Sequence, residues 1–309
     1  SKGVFYFNSG ISSSLSSGSN LSLYVPCQVS RQVLKNQIIL CIFKLTNHKS
    51  IKMKKFLTLV YILSVTSLSA QIASMEAYVI QDGKDSDYRK IEEFVAPLKA
   101  MAIKEGNLMQ WIVMKRKSGG DLSSIDKTKE IANYIVFNVY KDRSQMDSDN
   151  WNNYRGYASK VYNRKMSKSS INKMFNMAEG NQVKKSWRQY LIQGIYQTPS
   201  YRAQVGDVIN LDPMEALNED YENFELEFFM PRWKKVVDEG GLRMWGLAKV
   251  LSSSDNAYKN LTHFVFKNPT GLPIKFGKNS FLDSKLQEMG IQSRKGFNGA
   301  SLEIVHIEN

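Results

Sequence analysis

The sequence predicts an α+β fold built from two tandem βαββαβ units with antiparallel sheets. Three observations predict it. A 25-residue window from Ile91 is repeated from Glu225 at a constant offset of 134 residues. Each copy gives strand, helix, strand, strand, helix, strand in the same order. The 239 residues after Ala70 hold no cysteine, so an apolar core must carry the fold without disulfides.

The repeat needs no gap. Glu93 matches Glu227, Phe94 matches Phe228 and Pro97 matches Pro231. Glu105-Gly106 matches Glu239-Gly240, Leu108 matches Leu242, Trp111 matches Trp245 and Lys115 matches Lys249. Further on, "YIVFNV" from Tyr134 aligns with "HFVFKN" from His263.

The elements follow in order. "MEAYVIQ" is rich in strand formers. Tyr88, Ile91, Phe94, Leu98 and Met101 recur at three- and four-residue steps, the period of one helix face. Pro97 lies inside that helix and removes one backbone hydrogen bond, so a kink is expected there and at Pro231. Gly106 supplies a helix stop. "LMQWIVMK" and "NYIVFNVY" read as two strands joined through "KSGGD", followed by a polar helical segment and a further strand. The second copy repeats this: "GDVINL", a helix from Tyr221 to Glu239, "LRMWGLAKV", "LTHFVFK", "SFLDSKLQEMG" and the closing strand "SLEIVHIEN". The first unit is expected over residues 71–205, with a basic helical insert at 149–197, and the second over 206–309.

This order is the split-βαβ, ferredoxin-like pattern used twice. With "EFVAPLK…GNLMQW" and "EFFMPRW…GGLRMWGL", the chain resembles the dimeric α+β barrel superfamily, in which two ferredoxin-like units set their sheets face to face. The resemblance covers nearly all of residues 72–309 and implies an intramolecular barrel, monomeric or homodimeric. That superfamily includes monooxygenases, haem-binding enzymes and muconolactone-isomerase-like proteins. It therefore constrains fold better than chemistry.

The first 70 residues have another character: eight Lys/Arg and no acid, so all 29 acidic residues lie behind them. "MKKFLTLVYILSVTSLSAQ" has a positive start at Lys54 and Lys55, an apolar run from Phe56 to Val65 and a small, polar exit. These are the parts of a signal peptide, too short to span a bilayer. Residues 53–70 are therefore expected to be an export signal, with a periplasmic or secreted destination. Residues 1–52 are expected to be upstream sequence outside the native protein. The segment ending in "SAQ" and the Asn/Lys-rich body resemble exported proteins of the Bacteroidetes type. Behind it, 34 basic residues face 29 acidic ones, a net charge of +5 rather than the +13 of the whole sequence. Total charge thus gives no argument for nucleic acid.

Candidate chemistry rests on side chains sharing strand faces. Trp111 and Trp245 share theirs with Met109/Arg243, Val113/Leu247 and Lys115/Lys249. Tyr134 and His263 share theirs with Val136/Val265 and Asn138/Lys267. Turned into the barrel lumen, these faces would line a pocket. Trp111, Trp245, Arg243 and Lys249 are then the expected ligand contacts, and His263 and Tyr134 the expected catalytic groups. His263 is a candidate base or haem ligand. Helix–sheet packing accounts for both matched pairs equally well. No HExxH, GxSxG, Walker or GxGxxG pattern occurs, and no metal or cofactor is named by the sequence.

The insert mixes nine Lys/Arg with one acid between Arg155 and Arg188, interleaved with aromatic residues. That composition suits an anionic glycan or a protein partner, or simply a solvated helix face. The leading expectation is a small or polar ligand bound in or beside the barrel. A monooxygenase- or isomerase-like enzyme using the lumen, and an interaction module working through residues 155–188, are the alternatives.

Overall fold

The computed structural model of the chain describes residues 71–199 and 201–309. The expected upstream stretch and export signal lie outside them. The first unit runs β1 (Ile72–Ile80), α1 (Asp85–Lys104), β2 (Gln110–Gly119), β3 (Tyr134–Tyr140), three short helices α2 (Arg143–Ser148), α3 (Trp151–Val161) and α4 (Lys168–Glu179), then β4 (Lys184–Gln197). The second runs β5 (Val208–Ala216), α5 (Tyr221–Asn223), a π-helical turn (Phe224–Phe229), α6 (Met230–Asp238), β6 (Leu242–Ser253), β7 (His263–Pro269), α7 (Phe281–Gln292), a short β8 (Arg294–Gly296) and β9 (Ala300–Glu308). The βαββαβ order is present twice. The helical part of the insert ends at Glu179, and the rest of the expected 149–197 segment is the closing strand of the first unit.

Within each unit the strands take the order fourth, first, third, second: β4-β1-β3-β2 and β9-β5-β7-β6. The units join antiparallel at both edges, β2 to β9 and β4 to β6. The circuit β4-β1-β3-β2-β9-β5-β7-β6 therefore returns to β4 as a closed antiparallel barrel, the dimeric α+β barrel architecture completed within one chain. Closure leaves no free edges in this circuit.

Alternation along each strand sends one set of side chains into the lumen and the other outwards. The lumen is filled by Met75, Ile112, Met114, Phe137, Ile192, Leu211, Phe264, Leu302 and Ile304, with small residues such as Ala73, Ala77 and Ala300 between them. An eight-stranded barrel is just wide enough for side chains to fill. Outside, α1 lays Tyr88, Phe94 and Leu98 over Trp111, Val113, Tyr134 and Val136. On the other half, α6 lays Val236 over Trp245, Leu247 and Val265. Each fully buried side chain of this size contributes about 1.5–3 kcal/mol.

Trp111 and Trp245 are thus equivalent core residues under the helices, 1% and 0% exposed. Gly106 and Gly240 end the matched helices with φ of 77° and 82°, the left-handed conformation that glycine adopts without strain. The prolines behave differently. Pro97 sits inside an unbroken α1, whereas Pro231 follows the π-helical turn. That wider turn lets Phe224 and Phe229 both close on Gly290 of α7, where a Cβ would meet the Phe229 ring at 2.7 Å.

Candidate functional site

The expected lumen site is corrected by the barrel. Trp111, Tyr134, Trp245, Lys249 and His263 all lie on the outer strand faces, and the lumen holds the apolar set. The period of two says which residues share a face; the direction of sheet curvature decides which face is enclosed. Tryptophan needs the wider space under a helix, and Lys115 and Lys249 keep their ammonium groups at the surface beside Asp85 and Glu222.

The structure joins several of these residues to partners that the sequence reading missed. Tyr134 donates to Asp85 (2.7 Å), which also pairs with Lys115 (3.0 Å). In the other half His263 lies 3.2 Å from Glu222, which pairs with Lys249 at 2.5 Å. A helix tyrosine covers each ring: Tyr88 lies 4.4 Å from Tyr134 and Tyr221 lies 4.7 Å from His263, between centroids. A similar aromatic–carboxylate–lysine arrangement thus occurs at both helix starts, but its carboxylates come from different positions of the repeat: at the 134-residue offset Asp85 matches Glu219 and Glu222 matches Tyr88. Burial opposes charge on Asp85 and Glu222, but the Tyr134 hydroxyl and Lys115 in one case, and Lys249 and His263 in the other, hold the carboxyls below their ordinary range. Arg243 is exposed and pairs with buried Asp207 (2.5 Å).

Burial lowers the pKa of His263, with Glu222 pulling the other way. Below pH 6.5 the unfolded chain therefore takes up the proton more readily, and stability is lost on acidification. His263→Phe is expected to flatten that acid limb while costing about 1 kcal/mol at pH 7.5 through the lost hydrogen bonds. Thermal unfolding at pH 5 and 7.5 reads both effects.

A cavity of about 490 Å³ opens elsewhere, between the outer face of the first half-sheet and its helices. Strands β1, β3 and β4 supply Ser74, Glu76, Tyr78, Asn138, Tyr140, Lys184, Trp187 and Gln189 to it. Helix α1 supplies Tyr88, Glu92 and Lys99. The insert roofs it with Asp149, Trp151, Tyr154 and Glu179. Of the six residues expected at a site, Trp111 lines this cavity. Tyr154, Tyr157 and Phe175 of the insert point into the core, while Arg155 and Lys160 pair at the surface with Glu179 and Glu105. Most of the aromatic and basic residues of the insert therefore face opposite ways.

The polar network is dense. Glu76 accepts from the Tyr78 hydroxyl, from Ser74 Oγ (3.2 Å) and from Asn138 Nδ2 (3.3 Å). Gln189 Nε2 supports Ser74 Oγ at 2.7 Å. Lys99 Nζ donates to Asn138 Oδ1 (2.8 Å) and to Tyr154 Oη (2.9 Å). Tyr140 and Tyr154 both donate to Asp149 Oδ2, at 2.7 and 2.9 Å. Among the described residues the Tyr88 hydroxyl and Asp149 Oδ1 are buried without a hydrogen-bond partner of ordinary geometry. Two such atoms beside one cavity are what a polar ligand would satisfy.

Burial raises Glu92 to about 7, against the Tyr88 hydroxyl and the Lys184 and Lys99 cations, which favour its charged form. Burial also lowers Lys99 and Lys184 from the usual ammonium range and pushes the hydroxyls of Tyr78 and Tyr88 well up. Among the described residues no group of three His, Cys, Asp or Glu side chains could hold a metal ion.

The second half closes the corresponding space. At the 134-residue offset Glu92 matches Leu226 and Lys99 matches Trp233. Leu226 and Trp233 pack onto the core there. Asp212, the strand carboxylate facing this side, pairs with Lys267 at 2.5 Å, and Lys267 Nζ lies 5.5 Å from the Trp233 ring centre. In the first half Asn138 stands where Lys267 does, so among the described residues Glu76 has hydrogen bonds but no such ion pair. The repeat carries this signal when it is read for differences; read for identities, it points to Trp111, which borders the cavity, and Trp245, which is core.

No protein-family model matches the sequence, and no curated protein matches it. Solved structures similar to it include a candidate monooxygenase of Fusobacterium nucleatum, with 12% identity over 78% of this chain and 95% of that one, and a TM-score of 0.43. An anthrone oxidase-like protein shares 10% identity over 78% and 94%, with a TM-score of 0.43. Chlorite dismutase from Candidatus Nitrospira defluvii shares 6% identity over 79% and 96%, with a TM-score of 0.34. Likeness at this level carries no chemistry across. Among the described residues no helix is long and apolar enough to cross a membrane.

Proposed function

We propose that the chain binds a small, ring-bearing polar molecule in the 490 Å³ cavity beside the barrel, and that Glu92 exchanges a proton with it. The carrying observation is the difference between the halves. Duplication left two matched faces; one is sealed by Leu226 and Trp233, the other is open and carries Glu92 and Lys99. The volume lies within the 300–1,000 Å³ of small-molecule sites. Trp111, Trp151 and Trp187 offer flat apolar walls for a ring, and Glu76, Lys99 and Asp149 offer fixed hydrogen-bonding groups.

A carboxyl group titrating near pH 7 is suited to giving or taking a proton at neutral pH. This favours, as a second reading, an isomerase-like activity: Glu92 takes a proton from one atom of the ligand and returns it to another. That reaction balances without an added oxidant.

The five tryptophans give five indole N–H signals in an NMR spectrum. Screening with phenols, aromatic amines and aromatic acids is expected to shift those of Trp111, Trp151 and Trp187 and to leave Trp233 and Trp245 in place. Shifts confined to Trp233 and Trp245, or no shift with any of these classes, would remove the proposal.

A further inference from the structure

One end of the barrel lumen departs from the apolar rule. Arg116 continues the inward-facing series Ile112, Met114 on β2, and Arg188 precedes Tyr190 and Ile192 in the inward series of β4. Both guanidinium side chains line a second cavity, of about 60 Å³, walled by Met75, Ile135, Leu211 and Leu302. Arg188 is 6% exposed. A guanidinium carries five N–H donors and stays charged. Arg188 directs one hydrogen bond, Nη2 to the Glu130 carbonyl at 2.8 Å, and lies 5.3 Å from the Tyr258 ring centre. Arg116 directs Nε to the Ala132 carbonyl (2.9 Å) and Nη1 to the Gly119 carbonyl (3.4 Å).

The covering loop, residues 120–133, has carboxylates, but they are engaged elsewhere. Glu130 pairs with Lys185 at 2.5 Å and Asp126 with Lys129 at 3.1 Å, while Asp121 accepts from the Ser123 amide. Among the described residues neither arginine stands in an ion pair. Buried Arg188 thus faces an apolar wall with donors to spare, beside half-exposed Arg116, and its burial is costly unless an anion compensates it.

We propose that this end of the barrel binds a small monocarboxylate, its two oxygens held by Arg116 and Arg188 and its short alkyl end against the lumen side chains. Guanidinium groups fit a planar carboxylate through paired hydrogen bonds. The space is several times the roughly 10–15 Å³ that one water occupies, but too small and too apolar for a hydrated polyanion. This site is separate from the cavity under α1.

The test is saturation-transfer NMR with propionate and the intact protein at constant ionic strength. Transfer to the propionate methyl group is expected, with sulfate failing to compete. Arg116→Gln and Arg188→Gln are each expected to weaken binding at least tenfold, while Glu92→Leu leaves it unchanged. No transfer in the unaltered protein, or unchanged affinity in either arginine variant, overturns the proposal. Should the glutamine variants fail to fold, Arg116→Lys and Arg188→Lys keep charge and stem but lose the paired geometry. The same tenfold loss is expected of them, and unchanged affinity has the same overturning meaning. Retained propionate binding alongside lost binding of aromatic ligands would sink the reading of the larger cavity and leave this one standing.

Discussion

A triple exchange of Glu92→Leu, Lys99→Trp and Asn138→Lys is expected to abolish ligand binding under α1, by at least 100-fold, while raising stability. These are the residues that the second half holds at the matched positions, so the barrel already contains the packing they produce. The tryptophan fills the space that Lys99 spans to Asn138 and Tyr154. The introduced lysine can pair with Glu76 as Lys267 pairs with Asp212. Replacing buried charged groups by well-packed apolar ones is often neutral or stabilising by about 1–4 kcal/mol, and the low end is expected for half-buried Glu92 and Lys99. For a folded unit of this size, about 1 kcal/mol moves the unfolding midpoint by roughly 2–4 °C. Calorimetry together with the indole NMR screen measures both consequences. Undiminished binding of a ring-bearing ligand would show that the cavity is not where it binds. A midpoint lowered by ten degrees or more would show that the matched positions are not interchangeable.

Glu92→Gln is expected to stabilise the protein at pH 8 and to change little at pH 5. The folded-state value of about 7 lies above the ordinary 4.5, so the folded chain holds this proton more tightly than the unfolded one. The stability this gives is complete below pH 4.5 and is lost as pH rises through 7. A separation of that size corresponds to about 3 kcal/mol. Glutamine keeps the shape and removes the titration. His263 acts in the opposite sense, losing stability as pH falls below 6.5, so the comparison between variant and parent isolates Glu92. Urea unfolding at pH 5, 6.5 and 8 supplies the curves. Parallel curves would mean that Glu92 stays charged in the cavity, and the proton-exchange role would go with that result.

A half-buried carboxyl near neutrality is costly to keep in a chain whose other half does without one. That asymmetry is why Glu92, rather than the twice-occurring Tyr134/Asp85 and His263/Glu222 clusters, is the group to test first. Clusters of like composition at both helix starts tie each helix to its sheet and are explained by that alone. A feature present in one copy has no such explanation.

Sequence by itself determined the architecture. Apolar residues at helical and strand spacing, turn glycines at Gly106 and Gly240, and a gapless repeat specify two βαββαβ units, because those signals are local and survive duplication. It also determined that Trp111 and Trp245 would hold matched positions on the second strand of each unit. What only the tertiary structure decided is which side of each strand is enclosed and where space remains. Alternation is symmetric between two faces, and the sign of sheet curvature is a property of the closed barrel. Cavity and lumen end are likewise made by residues far apart in the chain: Glu92 lines one cavity with Asn138 and Asp149, and Arg116 lines the other with Arg188. No local pattern encodes those meetings, since they depend on how eight strands close.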